Sequence, residues 1–142
     1  SYDLIPHKQT TMTFQSINQL KNSPTYSAPE ILSSYENSKE SDVYSFGMIV
    51  YEIMTCSKPF NNFVNFSQLY EEVVLKERRP KFPLRFEKSY QELIENCWCQ
   101  NKNERPTFHE IIEYLKTNTE FITEKINRDD FMKYIEDINI YT

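Results

Sequence analysis

Three cysteines and two histidines are the side chains of this 142-residue chain that could mark a zinc or thiol site. Cys97 and Cys99 flank Trp98 as a Cys-x-Cys, and Cys56 stands alone. Zinc sites use closely spaced Cys-x-x-Cys pairs, with histidines placed to complete a tetrahedron. His7 and His109 lie far from the pair, so the thiols read as buried or idle and no metal site is assigned. An odd cysteine count without a secretory leader fits a reducing, cytoplasmic compartment. Nucleotide chemistry would need glycines that let backbone N–H groups approach phosphate. The chain has one glycine, Gly47, which excludes a GxGxxG loop, a Walker loop and a Rossmann fingerprint. Net charge is −5, and the basic run from Lys76 to Lys81 is broken by Glu77. That run reads as a solvated helix end, and no nucleic-acid partner is expected. The longest apolar run, Val43 to Met54, is interrupted by Ser45, Gly47 and Glu52. It is too short for a bilayer span of about 20 residues, so no membrane partner is expected either.

These side chains need elements to position them, and the periodicity is helical throughout. Residues 1–23 are polar and aperiodic and read as an extended loop. Pro24 and Pro29 bracket Tyr26, and Glu30-Ile31-Leu32 can form one helical turn after Pro29. Lys39 to Thr55 is the strongest helix, with Ser41 as its expected cap and Asp42 in its first turn. Val43, Phe46, Ile49, Val50 and Ile53 cover one face, while Tyr44, Met48, Tyr51 and Met54 cover much of the other. Such a helix belongs in a core. Ser67 to Glu77 reads as a second helix, and Pro80 and Pro83 as a rigid extended link. Ser89 with Glu92, and Thr107 with Glu110, are expected capping boxes. Behind them Tyr90, Leu93, Ile94 and Cys97, then Phe108, Ile111, Ile112 and Leu115, repeat the i, i+3, i+4, i+7 spacing of a buried stripe. A last helix is expected over 128–138. Nothing alternates with period two, so the fold class is mainly α.

Six pieces then fall in one order: Ser27-Ala28-Pro29-Glu30, Ser41 to Gly47, Lys58-Pro59-Phe60, Arg79-Pro80, Cys97-Trp98, and Glu104-Arg105-Pro106-Thr107. From about Asn22 to Lys116 this order resembles the C-terminal lobe of eukaryotic protein kinases, closest to the tyrosine-kinase-like group. The resemblance implies a helical C-lobe without the N-terminal β lobe. It divides the chain into an activation segment and substrate-docking loop (1–27), the helical lobe (28–118) and a C-terminal helical extension (119–142). It implies that Ser23, Pro24, Thr25 and Tyr26 end the docking loop, with Ser23 at the hydroxyl position and Asn22 in place of a usual glycine. It pairs Glu30 with a buried Arg105 and makes Asp42 the anchor of the catalytic loop. Gly47 then allows close helix packing, and Trp98 sits in the core near the ion pair. Thr10, Thr11, Thr13 and Ser16 fall in the activation segment as candidate phosphosites.

None of these residues transfers phosphate. That work needs a strand Lys with its Glu partner, the Asp and Asn of the His-Arg-Asp loop, and the Asp of Asp-Phe-Gly. Neither triplet occurs here; Phe46-Gly47 follows Ser45, and Ser1-Tyr2-Asp3-Leu4 is no match. The chain is therefore expected to begin just after the Asp-Phe-Gly position. Asp42 is expected to be a buried carboxylate whose partners belong to a missing loop. Catalytic residues are expected to be absent. ATP and Mg²⁺ would belong to the full-length parent, whose N-terminal kinase lobe and protein substrate are the expected partners. Two functions remain open: part of a Ser/Thr protein kinase that is inactive alone, or a non-catalytic kinase-like interaction module. An unrelated helical adaptor is the third and weakest reading.

Overall fold

Proline and serine chemistry set the first helix boundaries. The structure, a computed structural model, describes residues 24–63, 65–118 and 133. A single 3₁₀ turn at Pro24–Tyr26 leads to helix α1 (Pro29–Ser34), which has proline in its first turn, where the missing N–H is harmless. It stops at Tyr35, whose backbone is left-handed at φ 61° and whose N–H returns to the Ile31 carbonyl.

Helix α2 (Lys39–Thr55) has the predicted bounds but not the predicted cap. Ser38 is the N-cap, and its Oγ accepts from Ser41 N at 3.1 Å, while Ser41 Oγ accepts from Ser38 N at 2.9 Å. Two serines three apart close a reciprocal box, so Ser41 serves at the third helical position. Val43, Tyr44 and Met48 are buried, as expected of a core helix, but the last turn is not enclosed. Ile53 is 66% and Met54 38% exposed.

Helix α3 (Phe66–Tyr70) is capped by Asn65, which accepts from Gln68 N. The chain then continues as a π-helical turn over Glu71–Leu75, with Lys76 N bonding to Glu71 O at 2.9 Å. One uniform helix was predicted here; the widened turn instead frees the Val73 and Val74 carbonyls for side-chain donors. The proline link follows, held by Tyr51 Oη donating to Lys81 O at 2.7 Å.

Helix α4 (Lys88–Cys97) begins before the predicted box. Ser89 lies inside the first turn and is buried, and Glu87 stands at the cap without a side-chain bond. A turn closed by Phe86 N on Pro83 O delivers the chain to the helix at that point. Helix α5 (Phe108–Thr117) does carry its predicted box: Thr107 Oγ1 accepts from Glu110 N at 3.1 Å and Glu110 accepts from Thr107 N at 2.9 Å. Thr107→Ala should therefore lower stability by about 1 kcal/mol, read as a lower urea midpoint with an unchanged slope; an unshifted midpoint would show the box to be idle.

The core has α2 at its centre. One side gathers Val43 with Tyr90, Leu93 and Cys97 of α4 and Ile111, Ile112 and Leu115 of α5. The other gathers Tyr44, Met48 and Tyr51 with Tyr26, Ala28, Ile94 and Trp98. At Gly47, α2 and α4 come so close that an added Cβ would lie 2.8 Å from the Cys97 Cβ. Among the described residues there is no strand and no helix long and apolar enough to cross a membrane. The segment 1–23 and the helix predicted over 128–138, Lys133 apart, lie outside the described residues.

Candidate functional site

Glu30 sits in the first turn of α1, and Arg105 follows a short 3₁₀ turn at Lys102–Glu104. The fold brings them together across 75 residues of sequence as a two-pronged ion pair. Arg105 Nη1 donates to Glu30 Oε2 at 2.8 Å and Nη2 to Oε1 at 2.9 Å. The same guanidinium donates to the carbonyls of Glu40 and Cys99, both at 2.9 Å, and reaches that of Gln100 at 3.4 Å. Five acceptors thus meet the five N–H donors of the fork. The Arg105 side chain has no exposed surface, while Glu30 keeps 22%. Burial alone would raise the Glu30 pKa. The hydrogen bonds from Arg105, a backbone bond and the charges of Arg105 and Lys102 together outweigh it, leaving the carboxyl below its ordinary value.

Beneath this pair lies Tyr44, fully buried at the centre of α2. Arg105 and Arg79 each place a guanidinium carbon 5.1 Å from its ring centroid. Burial pushes its hydroxyl up to about 12, partly opposed by the two cations, and the hydroxyl has no hydrogen-bond partner among the described residues.

The loop before α1 is pinned to α2 at two further points. Ser45 Oγ donates to the Tyr26 carbonyl at 2.8 Å, and the Tyr26 hydroxyl donates to the Glu52 carboxylate. Burial first, then the bond to Glu52 and its charge, holds the Tyr26 hydroxyl well above its ordinary value. Ser45 and Glu52 were not singled out from sequence. Their seven-residue spacing puts them on one face of a helix, which was the available signal. Beside the loop runs an open groove of about 310 Å³, lined by Pro24, Ser27, Ile31, Leu32, Tyr35 and Phe66 among others.

The remaining predicted residues distribute as follows. Pro24 is exposed, Thr25 half-buried and Tyr26 buried; Ser23 lies outside the described residues, as do Thr10, Thr11, Thr13 and Ser16. Asp42, expected to be buried with partners outside the chain, is only half-buried and is not without a partner. Its neighbours Ser41 and Val43 are both buried, so the half-burial of Asp42 is local to that side chain. Gly47 meets α4 rather than any ligand. Trp98 packs with Tyr51 and Phe82, ring centroids 5.6 and 5.5 Å away, in the cluster that includes Tyr44. The Cys97 thiol is part of the core, and burial pushes it up to about 12. Arg79 and Gln100 were the side chains most thoroughly missed, because they bond to each other and to the Trp98 and Val74 carbonyls, all distant in sequence.

Comparison with known proteins places this arrangement. Residues 4–115 match the family described as protein tyrosine and serine/threonine kinase. The dual specificity protein kinase shkE of Dictyostelium discoideum is 37% identical over 95 residues, covering 67% of this chain and 13% of that protein. The shkC kinase of the same organism is 37% identical over 108 residues, 76% of this chain and 21% of that kinase. The serine/threonine-protein kinase CTR1 of Arabidopsis thaliana is 32% identical over 118 residues, 83% of this chain and 14% of its own length. This chain thus spans only 13–21% of these relatives. With the family matched over most of its residues and its described helices arranged around α2, the chain belongs to the protein kinase family and carries the helical C-terminal lobe of that domain.

Proposed function

We propose that this chain supplies the substrate platform of a protein kinase that moves the γ-phosphate of ATP to Ser or Thr of a protein, and that it is inactive alone. The observation that carries the reading is the pinned loop. Tyr26 and Glu30 are fastened to the core by Ser45, Glu52 and Arg105 beside an open groove. A platform of that kind fixes an acceptor segment before chemistry.

In this reading the chain itself holds neither ATP nor Mg²⁺, since one glycine cannot build a phosphate loop. The one glycine faces Cys97 inside the core, and no group of three His, Cys, Asp or Glu side chains among the described residues could hold a metal ion. No step of phosphate transfer is therefore assigned to this chain. ATP and Mg²⁺ belong, in this reading, to a parent polypeptide in the cytoplasm that also carries the N-terminal lobe. Membership of the tyrosine-kinase-like group rests on the motif order. Thr10, Thr11, Thr13 and Ser16 are the proposed phosphosites of the activation segment.

Preference for Ser or Thr rests on Ser23 at the hydroxyl position and on the lack of a basic residue between Pro24 and Ala28. Tyrosine-directed kinases usually carry a basic residue and Trp there. "Dual specificity" is part of the names of several relatives and describes those proteins.

The purified chain should show no micromolar ATP binding by calorimetry and no phosphate transfer, because all members of a cooperative catalytic unit are missing. The parent kinase should give phosphoserine and phosphothreonine. Tight ATP binding or transfer by the chain alone overturns the platform reading. Phosphotyrosine as the main product overturns the specificity. A parent with no transfer activity supports the interaction module instead.

A further inference from the structure

Arg79 takes no part in the ion pair, yet it grips what Arg105 grips. Its Nε donates to the Trp98 carbonyl at 2.8 Å and its Nη2 to Gln100 Oε1 at 2.7 Å. Arg105 takes the next two carbonyls, those of Cys99 and Gln100. The turn 98–100 is therefore divided between two guanidinium groups. Both also lie over the ring of Tyr44, each 5.1 Å from its centroid. The Arg79 Nη1 donates to Arg78 O at 2.8 Å and reaches Val73 O at 3.5 Å, while Gln100 Nε2 donates to Val74 O at 3.4 Å. The π-helical turn is thereby tied to the same junction.

A bidentate fork tolerates little rotation, since both N–H···O bonds weaken together when the plane tilts. Two of the five Arg105 acceptors are carbonyls of the 98–100 turn, so that turn helps to set the plane presented to Glu30. Arg79 fixes the same turn through the Trp98 carbonyl and the Gln100 side chain, and it lies over the Tyr44 ring that Arg105 also lies over. Lysine could not replace it, because one ammonium cannot reach the Trp98 carbonyl, the Gln100 amide and the ring in a fixed plane.

We infer that Arg79 is a positioning residue for the docking loop, acting through the 98–100 turn and Tyr44 on the Arg105 fork that holds Glu30. The geometry stands on its own, while the word docking rests on the function proposed above.

Arg79→Met keeps most of the apolar stem and removes the fork. In the 142-residue chain, carbon-13 NMR should find the Glu30 carboxyl titrating at higher pH than in the wild type. Lys102, the other cation acting on Glu30, is unchanged in the variant, so an upward shift reports on Arg105. In the kinase that contains the chain, KM for the protein substrate should rise on the order of tenfold, with KM for ATP unmoved. An unmoved Glu30 titration in a folded variant overturns the inference. A shifted titration with an unchanged substrate KM overturns it at the docking step and leaves the kinase assignment standing. A kinase without transfer activity removes the docking reading, and the titration alone then decides the positioning. Should Arg79→Met fail to fold, Gln100→Ala removes only the Nη2 acceptor and must show the same upward shift in smaller measure; no shift there overturns the inference.

Discussion

Glu30→Ala should cost about 3–5 kcal/mol of stability, the range for removing one partner of a buried ion pair. The reason lies on the cation side. Arg105 has no exposed surface, so the variant leaves a guanidinium sealed in the core with carbonyls as its only acceptors. Glu30→Gln should cost less, because one amide oxygen still accepts while the charge is lost. Urea denaturation gives the size, and hydrogen exchange gives the place. Protection should fall first over residues 24–34, with α2, α4 and α5 retained. A loss below about 1 kcal/mol would put the pair in the range of surface ion pairs and overturn its role as a buried anchor. The pH dependence has a definite sign. The folded-state pKa of Glu30 lies below its ordinary value of 4.5. The stability this brings is fully present above the unfolded value and is lost as pH falls through the folded one. The wild type should weaken over that acid window with an increment that Glu30→Gln lacks.

Gly47→Ala is the second large effect, and its sign contradicts helix propensity. Inside a helix alanine is better than glycine by about 1 kcal/mol. Here the new Cβ would stand 2.8 Å from the Cys97 Cβ and 3.4 Å from the Ile94 carbonyl. A Cβ is fixed to its backbone and cannot rotate aside, so α2 and α4 must separate. Overpacking of this kind costs about 1–3 kcal/mol, which exceeds the propensity gain. Net destabilisation is expected for Ala and a larger one for Val, with the urea midpoint falling in that order. A neutral or stabilised Gly47→Ala would show that the two helices part without resistance.

Local periodicity carried the helices. The bounds of α2, the stripes of α4 and α5 and the Thr107 box are all decided by neighbours within four residues, which is the range that spacing reports. Caps failed where two candidates competed: Ser38 and Ser41 lie one helical turn apart, and only the incoming chain decides which is outside. Ser89 failed because burial claimed it. Glu30 and Arg105 were paired from motif order, and no local rule could have joined residues 75 apart. Arg79 was visible as part of an Arg-Pro step, but its acceptors are mostly backbone carbonyls, which every residue carries, and the one side-chain acceptor, Gln100, lies 21 residues on. The burial expected of Asp42 came from the resemblance, and the side chain is half-buried. The exposed Ile53 and Met54 show that α2 is open at its C-terminal end.

The separation of Glu30 from Arg105 also sets an order of assembly during synthesis. Chain leaves the ribosome at about 5–20 residues per second, so Arg105 follows Glu30 by roughly 4 to 15 seconds. Ser45 and Glu52, only 19 and 26 residues beyond Tyr26, arrive much sooner. The loop can therefore be fastened to the central helix while its second anchor is still untranslated. Short loops close at little entropic cost, and long ones wait for the core that rewards them. A ribosome stalled before Arg105 would hold a nascent chain whose loop can be tethered at Tyr26 while it is still free at Glu30.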